Sequence, residues 1–404
     1  MSNEVEIVRD AQGFAALESE WDELYRNSPL ATPFQTWAWL YSWWEFYGEG
    51  YELRLITVRS DGGLLVGVAP FMLEHRFGFR RLLFVGTGLS RYLDVLAREG
   101  WEAQVGEVGR DFLQQLKSWH LVDLQQLRPE SAAWHIFWRW EGPRAFVWQD
   151  DCLVIDAKPW DELLMSLPKS QRTPTRRTIR RAKEDGVHSH LAGQADTERA
   201  ARRLVALSRE HWGERWQQTH PEHWSRRLEA HLEVTARRMA SCGVGGISEL
   251  RRDGKLIVAI FLLFGRGSVG AYMAAASQEA LRRYSFNTLF IWDMLNVARA
   301  RNCTYLDLFQ GDEPYKLRWK PNKVPNHRVV LGRSMAPWVS YAAYRALHSN
   351  VKRNVRSGDS PGWIRDVESK YHTLRSRTTW YLKSVKESGI SRRVKGIAER
   401  LRGS

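Results

Sequence analysis

Five side chains able to hold or move a proton crowd one short run late in the chain. They are Asp307, Asp312, Glu313, Tyr315 and Lys316, within LDLFQGDEPYKLRW (306–319). Tyr305–Phe309 reads as a strand, with Asp307 in its middle and Gly311 ending it. The loop just past a strand end is where α/β proteins place their chemistry. An acid, a phenol and an ammonium gathered there suit proton transfer. Asp307 and Glu313 are the candidate bases, and Tyr315 is an acid or hydrogen-bond donor. Lys316 orients a carbonyl or pairs with a carboxylate. The plain alternative is a solvated Gly-Asp-Glu-Pro turn, with Asp307 in a salt bridge at the strand end.

The elements before this run must position it. YSFNTLF (284–290) leads into a helix over Ile291–Arg301, which returns the chain to the strand. With D-L-x-x-G-D-E-P-Y-K-x-R-W (307–319), these segments resemble the signature of the cellulose-biosynthesis-type acetyltransferases of the GNAT superfamily. Those enzymes are relatives of the Fem peptidoglycan aminoacyl ligases. The resemblance extends over about residues 1–330. It implies an α/β fold of the α+β type, two tandem GNAT-like domains with mixed sheets, and acyl transfer from a carrier to an amine or hydroxyl.

Such chemistry needs a thioester beside a nucleophile, a base for the nucleophile's proton, and an acid near the leaving thiolate. It also needs an anion pocket for the carrier's pyrophosphate, usually at a helix N-terminus. Arg282, Arg283, Ser285 and Asn287 are the candidates, with Ser285 a plausible N-cap and the arginines able to pair with phosphates. An ordinary helix cap is the alternative reading. The glycine-rich Q/R-x-x-G-x-G/A loop of GNAT enzymes is absent, so acetyl-CoA or another acyl-CoA and the aminoacyl-tRNA of Fem ligases both stay open as donor.

The run SLPKSQRTPTRRTIRRAKEDG (166–186) is strongly basic. Arg176, Arg180 and Lys183 share one helix face, and Arg172 precedes them. With Arg318, these form a candidate grip on an anionic substrate such as a phosphate-bearing lipid, a sugar polymer or RNA, the expected acceptor being a sugar or lipid-linked envelope precursor of exopolysaccharide type. A solvated face is the alternative. Asp94 lies in SRYLD (90–94), which resembles a segment recurring in the family's N-terminal half.

Alternating apolar runs predict strands at Tyr51–Arg59, Leu64–Glu74, Arg81–Val85, Leu121–Leu124, Ala145–Ile155, Ile247–Arg251, Leu256–Phe264 and Ser268–Ala276, with helices between them. This places domains at 1–158 and 159–335 and a basic, aromatic helical tail at 336–404. The halves share this coarse pattern and no residue-level repeat is apparent.

The chain has 404 residues, 43% of them hydrophobic, and is globular in class. Cys152, Cys242 and Cys303 form no C-x-x-C, which suits a reducing cytosol. His220 and His223 lack partners for a metal set, so no metal is expected. No leader-like or membrane-spanning run is evident, which predicts a cytoplasmic protein, at most peripheral at the membrane. The net charge is +14, and residues 333–404 hold sixteen Lys/Arg against five Asp/Glu. That tail fits an anionic membrane surface or a helical clamp on the body. Of the twenty tryptophans, Trp21, Trp37, Trp39, Trp43 and Trp44 lie on apolar helix stripes and are expected in the core. A GNAT-like scaffold without catalysis is a further alternative.

Overall fold

The computed structural model describes residues 4–76, 78–214, 222–336, 338 and 341. Apart from residues 336, 338 and 341, the expected tail lies outside them. Met1–Gln217 and Glu222–Val339 make one compact unit.

Thirteen strands occur among the described residues: β1 (Glu4–Val8), β2 (Tyr51–Arg59), β3 (Leu65–Arg76), β4 (Phe79–Phe84), β5 (Leu96–Ala97), β6 (Leu121–Leu127), β7 (Arg144–Asp156), β8 (His188–Leu191), β9 (Gly245–Arg252), β10 (Lys255–Gly265), β11 (Ser268–Ala276), β12 (Tyr305–Gln310) and β13 (Asn322–Gly332). They form one mixed sheet in the order β1-β2-β3-β4-β6-β13-β7-β12-β11-β10-β9-β8, with β5 paired to β3 off this path. β10 reads as a continuous apolar run because both its faces are covered.

The sheet repeats a plan. In each half an antiparallel group ends on a strand, a helix crosses over, and the next strand pairs in parallel. β4 pairs with β6 through Glu102–Gln115, and β11 pairs with β12 through Phe286–Ala300. The final strand of each half is exchanged. β7 lies beside β12, and β13 lies between β6 and β7. β13 is absent from the sequence-based strands because its Asn, Lys, Pro and His break an apolar pattern; ladders on both sides hold it instead.

The second strand of each parallel pair also shares a short sequence match. Leu121 and Val122 pair with β4, Tyr305 and Leu306 pair with β11, and Asp-Leu-x-Gln follows each at 123–126 and 307–310.

Two apolar layers flank the second half of the sheet. Leu306, Leu308, Leu153 and Ile155 pack with the helices Trp160–Ser166, Lys169–Glu184 and Phe286–Ala300. Phe261, Leu263 and Phe309 face the opposite layer, with the helices Trp37–Tyr47, Thr197–Trp212 and Glu222–Ser241. Trp21, Trp37, Trp39 and Trp43 are buried there and Trp44 packs against them, as expected.

Candidate active site

β11 and β12 pair over only three residues, Ser268–Gly270 against Tyr305–Asp307, and then part. Phe309 causes part of this. Its φ of 54° lies in the left-handed region, which a bulky side chain seldom adopts. The twist turns its amide back to the Asp307 carboxylate at 2.8 Å. Its ring slides beneath Gly270, where a Cβ would sit 2.3 Å from the ring. Only glycine permits that approach.

Asp307 consequently sits at the parting point of two parallel strands, 6% exposed. The hydroxyl of Tyr92, from the first half of the chain, donates to its Oδ2 at 2.8 Å. Burial pushes the Asp307 carboxyl up to about 6, against the opposing pull of these hydrogen bonds and of the Arg128 and Lys316 charges. Burial also raises the Tyr92 phenol well above its ordinary value, so it stays a donor.

Asp307, Tyr92 and Phe309 line a cavity of about 350 Å³, with Arg128, Arg266 and Asp156 among its other walls. Behind it lies a polar cluster built from both halves. Gln310 donates to Asp150 at 3.1 Å, Arg91 donates to Gln310 at 3.1 Å, and Asn326 donates to Gln126 at 2.7 Å. Gln126, like Phe309, has a positive φ, 62°. A strained Phe309 and a raised carboxyl share one cavity wall, the combination by which functional sites are recognised.

The repeat shows why one half carries this site. Asp123, the counterpart of Asp307, is fully buried against the Arg328 guanidinium at 2.6 Å and also pairs with Arg81. A carboxylate locked between two guanidinium groups is structural. Asp307 faces a phenol and an open cavity.

The other candidate residues are placed as follows. Glu313 is the half-exposed residue preceding the short helix Pro314–Leu317 and pairs with Lys316 at 3.0 Å. Lys316 is buried and donates to the Gln310 carbonyl at 2.5 Å, which staples the loop. Burial, then the Glu313 charge, pushes the Tyr315 phenol up to about 12. Glu313, Tyr315 and Lys316 are outside the cavity lining, so the structure does not bring them together with Asp307 there. The Asp94 carboxylate accepts from the amides of Val95, Ala132 and Ala133 at 2.7–2.9 Å and brackets the chain before the helix Trp134–Trp138. Tyr92, two residues earlier in the same segment, is the side chain that reaches Asp307.

Arg282 and Arg283 end the helix Gln278–Arg283 just ahead of Ser285, the N-cap position of the helix Phe286–Ala300. They line a shallow basic depression with Arg181, Arg252 and Glu279. Arg283 is held by Asp185 at 2.6 Å, which keeps that carboxyl well below the ordinary range. Ser285 accepts from the Thr288 hydroxyl at 3.1 Å, and Asn287 stands in the first turn, half-buried. First-turn amides of a helix point outward and favour anions. On the helix Lys169–Glu184, Arg172 donates to the carbonyls of Leu167 and Met165 at 2.8 and 2.7 Å. Arg176 and Arg180 are exposed, while Arg318 donates to Thr175 at 2.9 Å.

A family model described as "Acetyltransferase (GNAT) domain" matches residues 169–317, which span the depression, the parted strands and Asp307. Residues 169–317 form a GNAT-like acetyltransferase domain. No curated protein matches the chain in sequence. Among solved structures, FemX is similar with a TM-score of 0.55 at 12% identity, over 81% of this chain and 97% of FemX. A conserved protein of unknown function from Bacteroides thetaiotaomicron is similar with a TM-score of 0.53 at 10% identity, over 81% of this chain and 100% of its own. The C-terminal domain of a protein assigned as a lysylphosphatidylglycerol synthetase from Agrobacterium fabrum is similar with a TM-score of 0.51 at 11% identity, over 83% and 96%. At such identities the likeness is one of fold.

Proposed function

We propose that this chain is an acyltransferase in which Asp307 is the general base and the basic depression holds the carrier's phosphates. One observation carries the reading: a buried carboxylate raised to about 6 stands where β11 and β12 part, at the wall of a cavity. A base with that value is ionised at neutral pH and still accepts a proton readily.

The acceptor's amine or hydroxyl enters the cavity and passes its proton to Asp307 while the N–C or O–C bond forms at the acyl carbon. The bond from that carbon to the carrier breaks, and the carrier leaves without a covalent enzyme intermediate. Tyr92 holds the carboxylate in line. The D-L-x-x-G-D-E-P-Y-K-x-R-W string supports placing the chain in the cellulose-biosynthesis-type group, with a sugar or envelope precursor as acceptor.

Calorimetry with acetyl-CoA and longer acyl-CoAs tests the donor: micromolar binding is expected, lost on Arg282→Ala with Arg283→Ala. Silence with every acyl-CoA removes that donor. Thiol release with a panel of amino and hydroxy sugars tests the base. Asp307→Asn is expected to cost about 10²–10⁴-fold in kcat with circular dichroism unchanged. Undiminished turnover removes Asp307 from the chemistry.

A second reading, aminoacyl transfer from tRNA, rests on the basic helix. Arg181 lines the depression and donates to the Arg283 carbonyl at 3.2 Å, so the exposed Arg177 and Arg180 beside it extend the basic surface away from the depression. A tRNA gel shift that weakens steeply with salt would favour it.

A further inference from the structure

The proposed chemistry leaves an aromatic face unused. The helix Trp134–Trp138 and the start of β7 carry Trp138, Phe146 and Trp148 at 60%, 47% and 61% exposure. These do not scatter singly. Trp138 stacks on Trp134 at 6.0 Å and meets Phe146 at 6.1 Å, while Phe146 meets Phe137 at 5.5 Å and His327 at 6.0 Å. Trp148 stands opposite His327 in the β7–β13 ladder, which continues the patch. A contiguous exposed aromatic patch marks an interaction site.

Two of its indole N–H groups are committed inward. Trp148 Nε1 donates to Asp151 at 2.9 Å, and Trp134 Nε1 donates to the Arg128 carbonyl at 2.8 Å. Arg144 spends one nitrogen on the carbonyls of Phe137, Trp138 and Trp140. The rings of Trp138, Phe146 and Trp148 are left outward. The headgroup zone of a bilayer rewards exposed indoles, because one end of the ring is apolar and the other wet.

Charge points the same way. The chain leaves β13 at Gly332, whose carbonyl accepts the Trp140 indole at 3.2 Å, and Leu331 pairs with Arg144. From this edge begins the segment 333–404, with sixteen Lys/Arg against five Asp/Glu. Insertion of apolar rings and attraction of basic residues are the two signals that hold a peripheral protein.

We propose that the Trp138–Phe146–Trp148 face seats in the interfacial layer of an anionic lipid bilayer. Co-sedimentation of the full chain with phosphatidylcholine vesicles, with and without phosphatidylglycerol, tests it. Binding is expected to need the anionic lipid at low salt. Trp138→Ser with Trp148→Ser should weaken it at least about tenfold, the change that a loss of 1.4 kcal/mol produces. Circular dichroism and melting should be unchanged, and Trp138→Phe with Trp148→Phe should restore most of the binding. Amides over 134–148 should gain exchange protection on vesicles. Equal vesicle binding by the serine variant and the parent overturns the proposal. So does a full-chain dimer that the serine variant dissolves in ultracentrifugation, which would make the face a contact between copies.

Discussion

The surroundings of the Asp307 carboxyl pull on its proton affinity in two directions. Burial raises the carboxyl to about 6, while the Tyr92 hydroxyl favours the charged form. Tyr92→Phe is therefore expected to push the acid limb of the kcat/KM profile above its parental position near 6. An unmoved limb would show that the hydroxyl does not act on the carboxylate. The raised value has a stability consequence with a definite sign. Between the ordinary carboxyl value of 3.8 and about 6, the folded state binds more protons than the unfolded chain, so stability falls as pH rises through that window. The loss is on the order of 3 kcal/mol. Asp307→Asn should flatten this dependence, so the variant's melting temperature rises relative to the parent across the window. Sequence reasoning named Asp307 as a candidate from its strand-end position. It named Asp94 within SRYLD, a segment singled out by family resemblance, and spacing cannot say which side chain points at a residue far along the chain.

At the scale of elements, the exchanged strands decide the site's walls. β7 and β13 pair along ten positions, and each also pairs with a neighbour from the other end of the sequence. Arg328 on β13 locks to Asp123 on β6 in the buried interior. Arg328→Ala should destabilise by roughly 3–5 kcal/mol in urea unfolding, since it removes one partner of a buried ion pair. A cost below about 1 kcal/mol would place that pair among ordinary surface contacts. Most strands and helices were legible, because alternating and 3.6-residue patterns survive in single sequences. β13 was not, because its hydrogen bonds come from two partners that lie far away in the chain.

At the scale of the whole molecule, one sheet runs unbroken from β1 to β8 through the β13–β7 pair. A body joined by such a ladder should melt in a single calorimetric transition. Residues 159–335 expressed alone should stay unfolded, since β12 would lose β7 and β13 would lose both neighbours. Two separate transitions would show that each half is a cooperative unit of its own.

The sequence by itself determined the local elements, the acidic strand end, the basic turn ahead of the helix, and the resemblance to acyl-transfer proteins. Each is written in contiguous residues, where turn chemistry, periodicity and charge act over short distances. Only the tertiary structure decided that Asp307 meets Tyr92 across 215 positions, that Asp123 is silenced by arginine while its counterpart is not, and that tryptophans flank an open face. Burial and partner choice are properties of space, and the free energy that sets a carboxyl's proton affinity is fixed by its neighbours in the folded chain.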